Sequence, residues 1–457
     1  MPKRSDILSD DHAQTDALLR EVCAQTSQWL ANLPARPVAG GALPAAPIHH
    51  DGGARAALDE FLTRFSAGLA ASAGPRYFGF VTGGVTPAAL VGDWLASVID
   101  QNATGSADSS AGALELETIA LFRDMLGLPD AFNGAFVSGA TMANFVGLAT
   151  GRQWLGQQAG VDVAEAGLAA LGPVRVLSAG AHSSTVKSLA MLGLGRQSLQ
   201  RVASLPAREA VDVAALADAM AAAAGPCIVV ANAGTVNTCD FDDLAAIAAL
   251  KARFDFWLHV DAAFAGIAAA SARYRPRLAG WEAADSITVD CHKWLNVPYD
   301  SAVALTRHLP LQAEVFRNQA AYLRGEVEPG NFLQLTPENS RRLRALPAWF
   351  ALRAYGRTGY AEIVERSCDL ARWLGERISA EPRLRLLAPV TLNGFCFAPA
   401  EGDAAALLAR INATGEVFMT PTVLFGHSAI RGAISHWATT LADMERVWAA
   451  IQSVLPD

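Results

Sequence analysis

The chain reads as an α/β protein with a mostly parallel central sheet and a smaller C-terminal α/β portion. Two observations carry that expectation. From about residue 110, helical periodicity alternates with short continuous apolar runs, the pattern of strands covered on both faces of a parallel sheet. Hydrophobic residues make up 52% of the 457 residues and charged residues 18%, which supplies a large core and more than one domain.

The elements follow in order. Residues 1–32 pattern as an amphipathic helix, with Leu18, Leu19, Val22, Trp29 and Leu30 on one face. The Pro/Gly-rich stretch from Leu33 to Pro47 reads as a linker. Helices are expected over 111–126, 142–154, 182–194, 214–224 and 243–253. Strands are expected over 134–137, 174–178, 227–232, 257–261, 286–290 and 302–306. The stretch from 320 to 342 lacks periodicity and reads as a mobile loop over about 320–340. Helices over 343–355 and 360–379 come next, then a smaller α/β portion. The expected division is an N-terminal helical segment with linker (1–75), a large domain (76–342) and a small C-terminal domain (343–457).

Charge and cysteine content narrow the function. Net charge is −8 with no Lys/Arg block, which argues against nucleic acid or an anionic membrane as partner. The uncharged runs 131–151 and 219–239 are broken by Asn, Gly and Pro, so neither reads as a membrane span. The N-terminal residues lack the apolar stretch of a signal peptide. Six scattered Cys form no C-x-x-C and have no His at ligand spacing. They read as free thiols of a cytoplasmic protein, with no metal site expected.

Two short apolar runs carry the chemistry. Phe256-Trp-Leu-His-Val-Asp261 ends in an acid followed by Ala262, Ala263 and Phe264. Ser286-Ile-Thr-Val-Asp-Cys-His-Lys293 ends in His-Lys. In a parallel sheet both ends fall at the carboxyl edge, where ligands bind. An Asp and a Lys delivered there are what pyridoxal phosphate (PLP) requires. The Lys amine forms a Schiff base, and the Asp keeps the ring nitrogen protonated so that the ring acts as an electron sink. Four more segments join them. Ser138-Gly-Ala-Thr141 opens a helix whose N–H groups, with the Thr141 hydroxyl, suit a phosphate. His182 opens another helix, either as an ordinary capping or core residue or as an imidazole stacked on the cofactor. Thr235 follows a buried strand and could set its hydroxyl near Asp261 or the ring. His292 reaches either the phosphate or the substrate, or is buried structure.

From about residue 75 onward, these segments in this order resemble the group II PLP-dependent amino-acid decarboxylases. That family includes aromatic-L-amino-acid, tyrosine, histidine, glutamate and 2,4-diaminobutyrate decarboxylases. The resemblance rests on Pro75-Arg-Tyr-Phe-Gly-Phe80, Ser138-Gly-Ala-Thr-Met-Ala-Asn144, Ala181-His-Ser-Ser184, His259-Val-Asp-Ala-Ala-Phe264, Asp290-Cys-His-Lys-Trp294 and Arg431-Gly-Ala-Ile-Ser-His436. It implies the fold-type-I, aspartate-aminotransferase-like architecture and a homodimer with active sites at the subunit interface. It implies that Lys293 holds PLP and Asp261 pairs with the ring nitrogen. His182 and Ala263 would flank the ring, Ala140 and Thr141 bind phosphate, and Thr235 and His292 line the pocket. The loop near 320–340 would close over the partner's site. The implied activity is decarboxylation of an L-amino acid to its amine. A second class of reading is a PLP-fold binding protein without turnover, against which the complete Lys293, Asp261 and His182 set argues.

Departures from the family pattern add further expectations. Decarboxylating relatives carry a loop Tyr that returns the Cα proton. That position falls here on Phe332, and Tyr322 is the only Tyr in the loop. Relatives with Phe there release aldehyde, so Phe332 motivates aldehyde synthesis as the alternative. Phe80 and Thr82 are expected to line the substrate pocket, with Gly79, Gly83 and Gly84 leaving it less filled for a bulky substrate. Asp290 stands where some relatives have Asn. Its carboxylate is expected to point away from the phosphate, since like charges repel. Replacing Lys293 with Ala should abolish the Schiff-base absorption of added PLP, and persistence of that band would remove Lys293 as the attachment point.

Overall fold

The computed structural model describes residues 7–40, 52–105, 109–223, 225–318 and 329–456. Its α-helices of six or more residues begin with α1 (Ile7–Ala13), α2 (Thr15–Asn32), α3 (Gly53–Glu60), α4 (Pro87–Ile99) and α5 (Ala111–Leu126). Then come α6 (Ala140–Gln158), α7 (Ser183–Met191), α8 (Val213–Ala223), α9 (Leu244–Ala249) and α10 (Leu309–Phe316). The last are α11 (Ala345–Ala380), α12 (Ala404–Ala413) and α13 (Leu441–Ser453).

Seven strands form the main sheet: β1 (Asn133–Val137), β2 (Val176–Ser178), β3 (Leu199–Arg201), β4 (Cys227–Asn232), β5 (Phe256–Asp261), β6 (Ser286–Asp290) and β7 (Ala302–Thr306). Their order is β1-β7-β6-β5-β4-β2-β3. Strands β6, β5, β4, β2 and β3 pair in parallel, while β7 runs antiparallel to both β6 and β1. The second sheet is antiparallel, in the order β10-β11-β9-β8, from β8 (Leu384–Leu386), β9 (Gly394–Pro399), β10 (Thr420–Leu424) and β11 (His427–Ala433). Every residue of β4, β5, β6 and β7 is buried. That is the consequence of helices covering both faces, and it is why the strands read as unbroken apolar runs.

Each sheet has its own core. Val229, Leu258, Val260, Ile287 and Val303 belong to the first, and Phe395, Phe397, Ile430 and Met444 to the second. Phe78 joins the second core, although it precedes the first sheet in the chain. Helix α11 serves both: Tyr360 to Cys368 pack in the first core and Leu370 to Ile378 in the second. The two helices expected over 343–379 are the two limbs of α11, which kinks at Gly356 (φ 53°).

Helix α4 is absent from the sequence reading. Its Pro87 occupies the first helical turn, where the missing N–H costs no hydrogen bond. A Cβ on Gly92 would stand 2.8 Å from the Pro347 Cα. The glycine is what lets α4 and α11 cross closely.

Arg341 and Glu115 form a fully buried ion pair at 2.8 Å. Glu115 also accepts the Phe136 N–H, and Arg341 donates to the Phe136 and Ala103 carbonyls. The pair thus clamps α5 and the segment before α11 onto β1. Among the described residues no helix is long and apolar enough to cross a membrane. Replacing Arg341 with Met strands the Glu115 carboxylate and should cost about 3–5 kcal/mol of unfolding free energy in urea denaturation. A loss below about 1 kcal/mol would mean that the pair does not hold β1.

Candidate active site

Parallel pairing sets Asp261, the last residue of β5, opposite Thr288 of β6. Two residues later β6 ends at Asp290, and the turn that follows carries Cys291, His292 and Lys293. A cavity of about 430 Å³ opens over this edge. Lys293, Asp261, His182, Thr235, Ala263 and Phe80 all line it, so six of the residues singled out from the sequence meet in one place.

Asp261 is fastened within this wall. Its Oδ1 accepts the Ala263 N–H at 3.1 Å and its Oδ2 accepts the Asn144 amide at 3.0 Å. His182 stands at the edge of the same cavity. It caps α7, with Nδ1 accepting the Ser184 N–H, and its ring borders the cavity. The surrounding protein lowers its pKa, chiefly by desolvation and against the pull of Asp261. The imidazole is therefore neutral at pH 7.

Several expectations need correction. The Asp290 carboxylate does not point away from the phosphate end. Its Oδ1 accepts the Ala140 N–H at 2.6 Å and its Oδ2 lies 2.8 Å from Lys293 Nζ. It sits at the helix N-terminus expected to take phosphate, because an α6 N–H and an ammonium draw one buried acid between them. Thr141 is the second residue of α6, and its carbonyl accepts the Ser188 hydroxyl. The Thr235 hydroxyl turns from Asp261 to donate to Glu209 at 2.5 Å. Thr82 is buried, donates to the Gly79 carbonyl and does not line the cavity. The three glycines beside it create no space. A Cβ at Gly83 would fall 1.6 Å from the Lys293 carbonyl oxygen, at Gly79 2.7 Å from the Phe418 ring, and at Gly84 2.2 Å from the His436 ring. They are close-approach residues that seat this segment on the Lys293 turn.

His292 lies beside the start of α6, outside the cavity lining. Its Nδ1 accepts the Ser301 N–H, and its ring stacks on Tyr299 at 4.3 Å. Phe332 is fully buried in the first core, with the Arg341 guanidinium 4.8 Å from its ring centre. It does not stand on an open loop, because it packs under the buried ion pair. Tyr322 lies outside the described residues.

Two side chains escaped the sequence reading of the site. Arg431 on β11 lines the cavity and is 8% exposed, and no hydrogen bond or ion pair among the described residues holds its guanidinium. Its pKa is lowered, first by desolvation. A strand Arg declares no role in sequence until a second sheet brings it to the same cavity as Lys293. Asn144 is wholly buried and touches Asp261 from below. Its place in a helix gave no hint of that contact.

The residues present fit PLP. A lysine amine, a fastened acid and a neutral imidazole surround one cavity, and an unpaired guanidinium faces it. The carboxylate of Asp290 at the phosphate end is the one group of the wrong sign. A sheet of this order with such a site defines a PLP enzyme of fold type I, the aspartate-aminotransferase-like class.

Comparison with known proteins agrees. Residues 45–399 match the pyridoxal-dependent decarboxylase conserved domain. The chain is 30% identical to pig (Sus scrofa) aromatic-L-amino-acid decarboxylase over 404 residues, 83% of this chain and 82% of that protein. It is 33% identical to fly (Drosophila melanogaster) histidine decarboxylase over 388 residues, 80% of this chain but 45% of that longer protein. The crystal structure of rice (Oryza sativa) tryptophan decarboxylase with PLP and tryptamine superposes with a TM-score of 0.88 at 23% identity, covering 99% of this chain and 98% of that one. The chain belongs to the PLP-dependent decarboxylase family and is an amino-acid decarboxylase that takes PLP as cofactor.

Exchanging Asp290 for Asn removes the negative charge at the α6 N-terminus. The cofactor-free variant should bind PLP roughly tenfold more tightly than the parent in a fluorescence titration. Equal or weaker binding would show that this carboxylate does not oppose the phosphate.

Proposed function

We propose that this enzyme decarboxylates an L-amino acid with a bulky, uncharged side chain and releases the amine. The observation that carries this reading is the cavity itself. A free guanidinium, Arg431, faces the Lys293 and Asp261 edge across a largely apolar wall of Phe80, Val81, Val236 and Phe264. When bound, PLP supplies the electron sink that makes loss of carbon dioxide feasible.

The chain's own groups do the rest. Lys293 would be the attachment point for the cofactor, giving up its contact with Asp290 to serve as one. Asp261 would hold the ring nitrogen in its protonated form. His182 and Ala263 would flank the ring, and the first turn of α6, Ala140 and Thr141, would hold the phosphate. Arg431 pairs with the α-carboxylate and holds the substrate in register with Lys293. The apolar wall buries the side chain and excludes water. A charged side chain would leave its charge unpaired among these residues.

Phe332 is buried and does not line this cavity, so the amine is the preferred product and aldehyde release the alternative. A homodimer is part of the same reading. Val91, Trp94, Leu95, Val98 and Ile99 form an exposed apolar stripe along α4, at the spacing of one helix face. A stripe of that length suits a subunit interface. The six free thiols fit a reducing, cytoplasmic setting.

Product analysis in air tests the function. PLP-loaded protein is offered each L-amino acid, L-dopa and 2,4-diaminobutyrate, while carbon dioxide, amine, aldehyde and peroxide are followed together. Equimolar carbon dioxide and amine from an aromatic substrate is the expected result, and aldehyde with peroxide would overturn it. Arg431→Gln should raise KM for that substrate by roughly ten- to a hundredfold, the worth of a charge-assisted hydrogen-bonded pair. An unchanged KM would take the carboxylate away from Arg431.

A further inference from the structure

Behind the cavity wall runs a continuous chain of hydrogen bonds that leads from fully buried groups out to His182, which is exposed. The Trp257 indole N–H donates to the Ser286 hydroxyl at 3.0 Å. That oxygen lies 2.7 Å from His259 Nδ1. His259 Nε2 lies 3.0 Å from the Asn144 side-chain oxygen. The Asn144 amide nitrogen is bonded both to Asp261 Oδ2, at 3.0 Å, and to the Ser184 hydroxyl, at 3.1 Å. Ser184 Oγ lies 2.8 Å from His182 Nδ1. Trp257, His259 and Asn144 have no exposed surface, and Ser286 has 1%.

The direction of every bond in this chain is determined. An indole N–H can only donate, and a carboxylate oxygen accepts. The end of Asn144 that faces Asp261 must therefore be its NH2. Its oxygen then faces His259, so Nε2 of that ring carries a proton. Burial pushes the His259 pKa down to about 4, so the ring is neutral and its Nδ1 is bare. Ser286 accepts from Trp257 and gives its own proton to His259 Nδ1. On the other branch, Ser184 accepts from Asn144 and gives its hydroxyl proton to His182 Nδ1. The Ser184 backbone N–H points at the same nitrogen, at 3.2 Å. His182 is left with a single proton, on Nε2.

We propose that Asn144 and His259 are positioning residues that fasten Asp261 and, through Ser184, lock His182 as its Nε2–H tautomer. His182 then serves as a hydrogen-bond donor and neither gives up nor takes a proton during the reaction. This rests on the reading of Lys293, Asp261 and His182 as the reacting set. It adds that two residues with no access to substrate set the state of two that have it. Packing supports the assignment: α6 approaches β5 so closely that a Cβ on Gly147 would stand 2.7 Å from the His259 ring.

The test begins with cofactor-free, full-length protein labelled with ¹⁵N-histidine. Two-bond proton–nitrogen correlation spectra report which ring nitrogen carries the proton, and His182→Gln and His259→Gln assign the signals. Both rings should show protonated Nε2 and bare Nδ1. A proton on Nδ1 of either ring would overturn the proposal. The second arm is Asn144→Leu, which keeps the volume of the side chain but cannot donate to Asp261. Thermal unfolding first establishes that this variant is folded. Its PLP affinity should fall about tenfold or more, and its His182 signals should become a mixture of tautomers. Affinity within twofold of the parent would overturn the role given to Asn144. Should the variant not fold, the spectra of the parent protein decide alone. The tautomer readout needs no substrate, so it stands or falls separately from the reaction assigned to the site.

Discussion

The parallel pairing of β5 with β6 is the constraint on which the site depends. Both strands are buried on both faces, so neither can slip by one residue without exposing its apolar side chains to the wrong environment. Register is therefore fixed, and with it the separation of the two strand ends. Asp261 and the turn bearing Lys293 emerge side by side for that reason. Helix α6 packs across β5, β6 and β7, and its N-terminus reaches the same edge. A carboxylate, an amine on the short turn after β6 and a helix terminus thus converge at one edge.

The electrostatics of that edge are finely balanced. Lys293 and Arg431 face a space bordered by Asp261, with Asp290 next to Lys293. Each acid is already engaged by donors: Asn144 and the Ala263 N–H on Asp261, and the Ala140 N–H and Lys293 on Asp290. Only Arg431 lacks a bonded partner among the described residues. The site presents one unsatisfied positive group to an incoming amino acid, which always brings a carboxylate.

Much of this was legible in the sequence, and for a physical reason. Strands 227–232, 286–290 and 302–306 form with the bounds their apolar runs suggest, because burial on both faces leaves an uninterrupted signal. Asp261 and Lys293 could be placed because strand ends in such sheets have a known polarity. What escaped were features that depend on contacts between distant segments. Gly79, Gly83 and Gly84 look like open space in one dimension and turn out to be points of backbone contact. Phe332 looks like a loop residue until Arg341 is seen beside it. Arg431 arrives from a second sheet, well over a hundred residues after Lys293. Asn144 sits in a helix whose pattern says only that it is buried, not which acid it meets.

Helix α11 has one more consequence. Its limb after Gly356 is rooted in two cores, and it spans the distance between the sheet that leads to Lys293 and the sheet that carries Arg431. The cavity is therefore a joint between two bodies that share one shaft. Loosening the second core, around Phe395, Phe397 and Met444, would let β11 drift while Asp261 and Lys293 keep their places. The protein would then still take up its cofactor after losing its hold on the substrate. Grip on PLP and grip on the amino acid are separable properties, resting on different layers of the same molecule.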